Sequence, residues 1–322
     1  MLRPASLLLV LLAARVGAQQ APAATPPASA NPPAANAAPA APADEAARAG
    51  QAALDLAAHF QRGDTPRAAP ASLHGLFNVS AEDAKGNLIK AEVERWYTRS
   101  PERLLTRRTE ELTGISSSVG SIADVVWFRD DRKGSVVIYS DDPETFDADL
   151  ELQREQLRLT RLLLDACVLD ALRPRLADVR AQGHGEVTDV DGGVHAVTLV
   201  DATAPDEFFA PPPGAAPPSL GDAPPRLSLR FGIGTDDGAL WSLRVQALQR
   251  PDLPPMRLVF ALHGPTRGGL NVPGNIQMFR GDETQPALKM AIEEDAEGHM
   301  LFDVDMPVDA AMFQRPAPPA GG

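Results

Sequence analysis

The chain has 322 residues, 44% of them hydrophobic, and 30 Lys and Arg against 43 Asp and Glu give it a net charge of -13. An acidic balance of this size repels phosphate backbones and anionic headgroups, which excludes nucleic acid as a partner and leaves apolar contact as the way to meet a membrane. Cys167 is the only cysteine, so no intrachain disulfide can form.

Met1 to Pro4 with Arg3, the apolar run Ala5 to Ala14, and Val16-Gly17-Ala18 before Gln19 have the three parts of a secretory signal peptide. The expected cut follows Ala18 and makes the protein periplasmic or secreted. The apolar run is about half the roughly twenty residues that span a bilayer, so the processed chain is not expected to cross one. Residues 19–43 are almost entirely Ala, Pro, Ser and Asn. They have nothing to bury, and a disordered, extended spacer is expected. Asp44 to Arg62 reads as a helix with Leu54, Ala57, Ala58 and Phe60 on its apolar face and Gly63 as its stop.

From Ala71 the period becomes two. Leu73, Gly75, Phe77 and Val79 share a face, then Ile89, Ala91, Val93 and Tyr97 opposite Lys90, Glu92 and Glu94. Further on, Leu227 to Ile233, Trp241 to Ala247 and Met300 to Met306 alternate in the same way. Turn signals separate them at Ala84–Asn87, Asp130–Gly134, Asp191–Gly193 and Asp236–Gly238. This is the pattern of antiparallel strands with one wet face. Asp142 to Arg175 interrupts them as a helix, capped by Asp142, with Phe146, Leu150, Leu157, Leu164, Val168 and Leu172 as its stripe and Pro174 at its end or break. Cys167 lies inside this apolar run and reads as a core thiol. Residues 203–225, rich in proline, read as an irregular insert, and 317–322 as a disordered tail.

No catalytic motif emerges. The six histidines are scattered, with no metal-ligand spacing, and no metal or cofactor is expected. Ser116-Ser117-Ser118-Val119-Gly120 falls one residue short of a nucleophile elbow and reads as a flexible hairpin loop. A hydrolase using Ser118 with His184 or His195 requires a contact of about 3 Å between them. The remaining candidate is the apolar inner face of a curved, unclosed sheet whose concavity holds the helices. Either the helices simply complete a core, or an apolar ligand lies between them and the sheet.

The stretch Trp96-Tyr97-Thr98-Arg99-Ser100-Pro101-Glu102-Arg103-Leu104-Leu105, with Val126-Trp127-Phe128-Arg129-Asp130 and Gly134, resembles the outer-membrane lipoprotein carrier (LolA-like) superfamily. Tyr139 with Asp142 to Asp147, Asn271-Val272-Pro273, and Phe313 to Pro316 extend the resemblance over residues 45–316. It implies an α+β, mainly antiparallel fold, an unclosed β-barrel with helices packed in its concavity, over a domain at 44–316. It also implies a non-enzymatic carrier of lipid or lipoprotein acyl chains, or an envelope sensor that recognises a protein through the same fold with a filled core. Residues 227–316 either extend the barrel or form a second lobe. As large apolar residues on inward-facing alternations, Phe77, Trp127, Phe231, Trp241 and Phe260 are the expected wall of the cavity.

Overall fold

A computed structural model describes residues 43–63, 68, 70–82, 87–122, 125–131, 135–138, 161–205, 226–248 and 254–314. The signal peptide, the spacer up to residue 42, the first part of the second helix, the proline-rich stretch 206–225 and the tail from residue 315 lie outside the described residues.

The N-terminal helix α1 (Ala43–Arg62) forms where expected, with Asp44 and Glu45 in its first turn and Gly50, Ala53, Leu54, Ala57, Ala58 and Gln61 buried. Small residues dominate that face because the helix lies close on a strand. A Cβ on Gly50 would sit 2.8 Å from the backbone N of Ala181.

Among the described residues fourteen antiparallel strands follow: β1 (Ser72–Glu82), β2 (Leu88–Arg99), β3 (Glu102–Glu110), β4 (Ser116–Ile122), β5 (Val125–Asp130), β6 (Ser135–Ile138), β7 (Ala177–Thr188), β8 (Val194–Pro205), β9 (Arg226–Gly234), β10 (Leu240–Ala247), β11 (Met256–Pro265), β12 (Asn271–Arg280), β13 (Leu288–Ile292) and β14 (Phe302–Val304). They form one open, curved sheet in the order β6-β5-β4-β3-β2-β1-β13-β12-β11-β10-β9-β8-β7, with β14 paired to β1. The join is the β1–β13 ladder, Phe77 opposite Ile292 and Val79 opposite Met290. Among the described residues the C-terminal strands therefore extend the same sheet.

Three local expectations change. Ser116–Gly120 is not a loop but most of β4, paired to β3 and β5. Its small residues suit a strand overlain by large neighbours, since a Cβ on Gly120 would fall 2.2 Å from the Trp127 ring. β8 runs through Pro205, so the first three residues of the expected insert belong to the sheet. The strand expected over Met300–Met306 shortens to β14, because Met300 forms isolated bridges to Thr266 and Glu294 instead.

Alternation gives the sheet an inner face covered by helices. Phe77, Val79, Val93, Tyr97, Leu104, Val119, Phe128, Val200, Leu229, Phe231, Ile233, Leu243, Phe260, Ile276, Met278, Met290 and Ile292 share one cluster with α1 and with Leu162–Leu172. Burying one such Phe or Leu contributes about 1.5–3 kcal/mol, so this continuous surface dominates the stability of the fold. The second helical segment is helical over 161–167, breaks at Val168 (ψ 87°), and resumes as α2 (Leu169–Leu172) and a 3₁₀ turn (Arg173–Arg175). No helix among the described residues is long and apolar enough to cross a membrane.

Candidate ligand-binding site

Three of the five expected wall residues come together. Phe77, Phe231 and Phe260 lie on the inner face, at most 2% exposed, under the helices. Trp127 does not join them. It pairs with Gly120, while its neighbour Phe128 pairs with the inward Val119, so the indole points to the outer face. There it packs with Trp96, Leu105 and Phe313, and its Nε1 donates to the Phe313 carbonyl at 3.4 Å. Trp241 belongs to neither cluster. A register shift between Leu240 and Ser242 gives the inner position to Leu240 and leaves Trp241 stacked 3.4 Å from His195, with His263 edge-on at 5.1 Å.

The helical cover is held at its margins by polar contacts. Gln61 is buried, and its amide spans the break at Val168, with Nε2 donating to the Ala166 carbonyl at 3.1 Å and Oε1 accepting from the Leu169 N–H at 2.5 Å. One side chain of α1 thus satisfies both backbone groups that the interruption would orphan. Arg62 reaches Asp170 at 3.2 Å, and Arg173 pairs with Asp55.

Toward β2 and β3 the fixing is ionic. Asp165 is fully buried and accepts from Arg99 at 2.8 Å and Arg175 at 3.2 Å. Arg161 meets Glu102 at 2.6 Å, and the Tyr97 hydroxyl donates to the same carboxylate at 3.2 Å. Burial, with Asp165 and Glu102 nearby, pushes the Tyr97 phenol well above its ordinary range. Where α1 meets the 3₁₀ turn and β7, a recess of about 310 Å³ opens over Leu54, Pro174, Leu176 and Val179.

One inner-face cation has no carboxylate beside it among the described residues. Arg95 occupies the position between Val93 and Tyr97 on β2, opposite Gly75 of β1. Its guanidinium lies 5.0 Å over the Phe77 ring, and Nη1 donates to the Met290 sulfur at 3.5 Å. Sequence reading passed over it, although its signal was present: the alternation that names Val93 and Tyr97 has a cation in its next inward slot. Cys167 lies beside it, buried as expected, and desolvation pushes its thiol up to about 12. Such a thiol is not a nucleophile.

Other candidate chemistry resolves into structure. Ser118 is on β4, and eight strands separate it from the β8 strand that carries His195, with His184 one strand further, on β7. The distance overturns the serine hydrolase expectation. Asp295, Glu297 and His299 bring their ligand atoms within 4.8 Å of one another. Arg267 already pairs with both carboxylates of that turn, at 2.7 Å from Asp295 and 3.4 Å from Glu297. On the outer face, a groove of about 490 Å³ runs past Leu105, Arg107, Trp127, Arg129 and Met312, beside the 3₁₀ turn Ala310–Phe313.

No family model matches the sequence, and no curated protein does. Among solved structures the chain is similar to an outer membrane lipoprotein-sorting protein domain from Vibrio parahaemolyticus, at 9% identity and a TM-score of 0.43, over 84% of this chain and 97% of that one. It is similar to a LolA superfamily protein from Nitrosomonas europaea, at 8% identity and a TM-score of 0.43, over 82% and 97%. It is also similar to a DUF1329 family protein from Desulfovibrio piger, at 13% identity and a TM-score of 0.42, over 82% and 96%.

Proposed function

We propose that the protein is a periplasmic, non-enzymatic binding protein that takes an apolar, chain-like ligand, a lipid or acyl chain, between the inner face of its sheet and the helical cover. The supporting observation is the mismatch between the two layers of that core. The sheet presents an extended apolar face interrupted by Arg95, whereas the 161–175 segment over it is tied down by side-chain ion pairs and the Gln61 amide. When the segment moves, both partners of each buried pair return to water together, which offsets much of the attraction lost, and the apolar surface beneath then needs a substitute for the helix. Phe77, Phe231 and Phe260 are the wall residues in this reading, and the recess over Leu54 and Val179 is where the layers part. Export rests on the signal-peptide pattern at the N-terminus.

The neutral dye N-phenyl-1-naphthylamine tests the reading. Saturable binding with a blue-shifted emission, competed by dodecanol, is expected. Absence of saturable binding, also after the cover is loosened by Asp165→Ala, would end it.

A second reading, an envelope interaction module with a filled core, draws on the outer groove, where Arg107 lies 4.9 Å over Trp96 and Arg103 5.9 Å over Phe313. Clustered aromatic and arginine side chains are the usual anchors of protein interfaces. Photo-crosslinking from position 118 in envelope extract separates the two, since capture of one protein, lost on Trp127→Ala, favours the module.

A further inference from the structure

The ion pairs of the inner face leave one cation over. Arg99 and Arg175 share Asp165, Arg108 lies 3.0 Å from Glu110, and Arg161 meets Glu102. Arg95 has no carboxylate partner among the described residues. Its contacts are a thioether, an aromatic face and the neighbouring thiol, and its Nε is sealed from solvent with no hydrogen-bond partner. Desolvation holds the guanidinium down at about 10, and the Cys167 thiol stays neutral beside it. A buried N–H left unmet forfeits its hydration without return, so an apolar side chain would serve this core better. The residue makes physical sense if an anion joins it in another state of the molecule.

We propose that Arg95 anchors the carboxylate of a fatty acid whose chain lies along the inner face, past Phe77 toward Phe260; the inference rests on the apolar-ligand reading above and names its ligand class. A single guanidinium matches one carboxylate in charge and in bidentate geometry. A phosphate monoester would bring a charge near -2 and further oxygens, which Phe77, Met290 and Cys167 cannot satisfy. Strand order gives the chain its course, because β1, β13 and β12 lie between Arg95 on β2 and Phe260 on β11, and their inward residues, Phe77, Met290 and Ile276, are apolar.

The test is displacement of N-phenyl-1-naphthylamine from the purified protein by laurate, by 1-dodecanol and by dodecyl phosphate, which share a chain length and differ in the head. Laurate is expected to bind about tenfold more tightly than dodecanol, or better, with dodecyl phosphate weaker than laurate. Arg95→Met is expected to abolish the laurate preference, leave dodecanol unchanged, and melt no lower than the parent. Arg95→Lys retains part of the preference and decides the matter if the Met variant does not fold. Equal binding of laurate and dodecanol, or a preference that survives Arg95→Met, overturns the anchor and leaves the apolar-ligand reading standing. Dodecyl phosphate binding as tightly as laurate overturns the carboxylate class. Failure of both dodecanol and laurate to displace the dye, or of the dye to bind even after Asp165→Ala, means that the apolar-ligand reading has itself failed.

Discussion

His263 carries a pH dependence that its surroundings define. Its ring meets Phe60 edge-on at 5.4 Å and Trp241 at 5.1 Å, and its Nε2 donates to the Leu240 carbonyl at 3.2 Å. Burial holds the imidazole down at about 4, against the helping carboxylate of Asp237 and with the opposing ring of His195. In the unfolded chain the same ring takes up a proton near pH 6.5. Between pH 6.5 and 4 the unfolded state therefore binds more protons than the native one, and stability rises with pH across that window. Acidification from 6.5 to 4 should cost about 2 kcal/mol from this group, allowing for its residual exposure, and the loss should level off below pH 4. Urea melts over that range should show a shallower slope in His263→Asn, and an unchanged slope would acquit the ring. Asp295 touches only the acid end of the window: backbone N–H groups of His299 and Glu297, with Arg267, hold it at about 2, so its stabilisation starts to fall as the unfolded carboxyl protonates near pH 4 and goes on falling below it. None of this was legible in the sequence. His195, Trp241 and His263 are far apart in the chain, and the register shift at Leu240/Ser242 that frees the indole lies opposite Gly232 of β9, a partner that only the strand pairing identifies. Arg95, by contrast, could be read from alternation alone.

The 161–175 segment shows how an element can be legible in kind and not in detail. Leu162-Leu163-Leu164-Asp165-Ala166-Cys167-Val168-Leu169 is apolar sequence apart from Asp165, and burial takes in the stripe residues Leu164 and Val168 but also Leu162, Leu163, Ala166 and Leu169, which the stripe left out. The break at Val168 comes from outside, because Gln61 of α1 offers the backbone a partner on each side of it. Asp165 likewise reads as an ordinary helical acid, and only the fold surrounds it with Arg99 and Arg175. Removing one member of a buried ion pair leaves the others uncompensated, so Asp165→Ala should cost about 3–5 kcal/mol. The loss should be local before it is global. Hydrogen exchange should accelerate over residues 161–172 at denaturant concentrations where β1, β2 and β13 remain protected, and uptake of the neutral dye should quicken. Uniform loss of protection across the sheet would mean that the segment is part of the global core and no cover at all.

At the scale of the molecule, alternation marked five of the strands and their antiparallel polarity but not the order that joins them. Period-two segments and their turns are local signals, whereas the β1–β13 ladder links residues more than two hundred positions apart, and no local residue pattern specifies that pairing. This ladder decides between one lobe and two. Removing β1 exposes the backbone of β13 and uncovers Met290 and Ile292, and α1 spans the C-terminal half by packing on β7, β8, β9 and β12. The halves thus share one apolar cluster, and neither can bury its face alone. A chain of residues 226–314 alone should be unfolded, with no dispersed amide spectrum, although the same residues form six strands of the intact protein. The full chain should unfold in one step. Its tryptophans report from both halves, Trp96 and Trp127 from β2 and β5 and Trp241 from β10, and far-UV dichroism follows the whole sheet. Coincident urea transitions by fluorescence and dichroism are expected. A fluorescence transition that splits, with Trp241→Phe removing one limb, would show that the two halves hold separate cores despite the ladder between them.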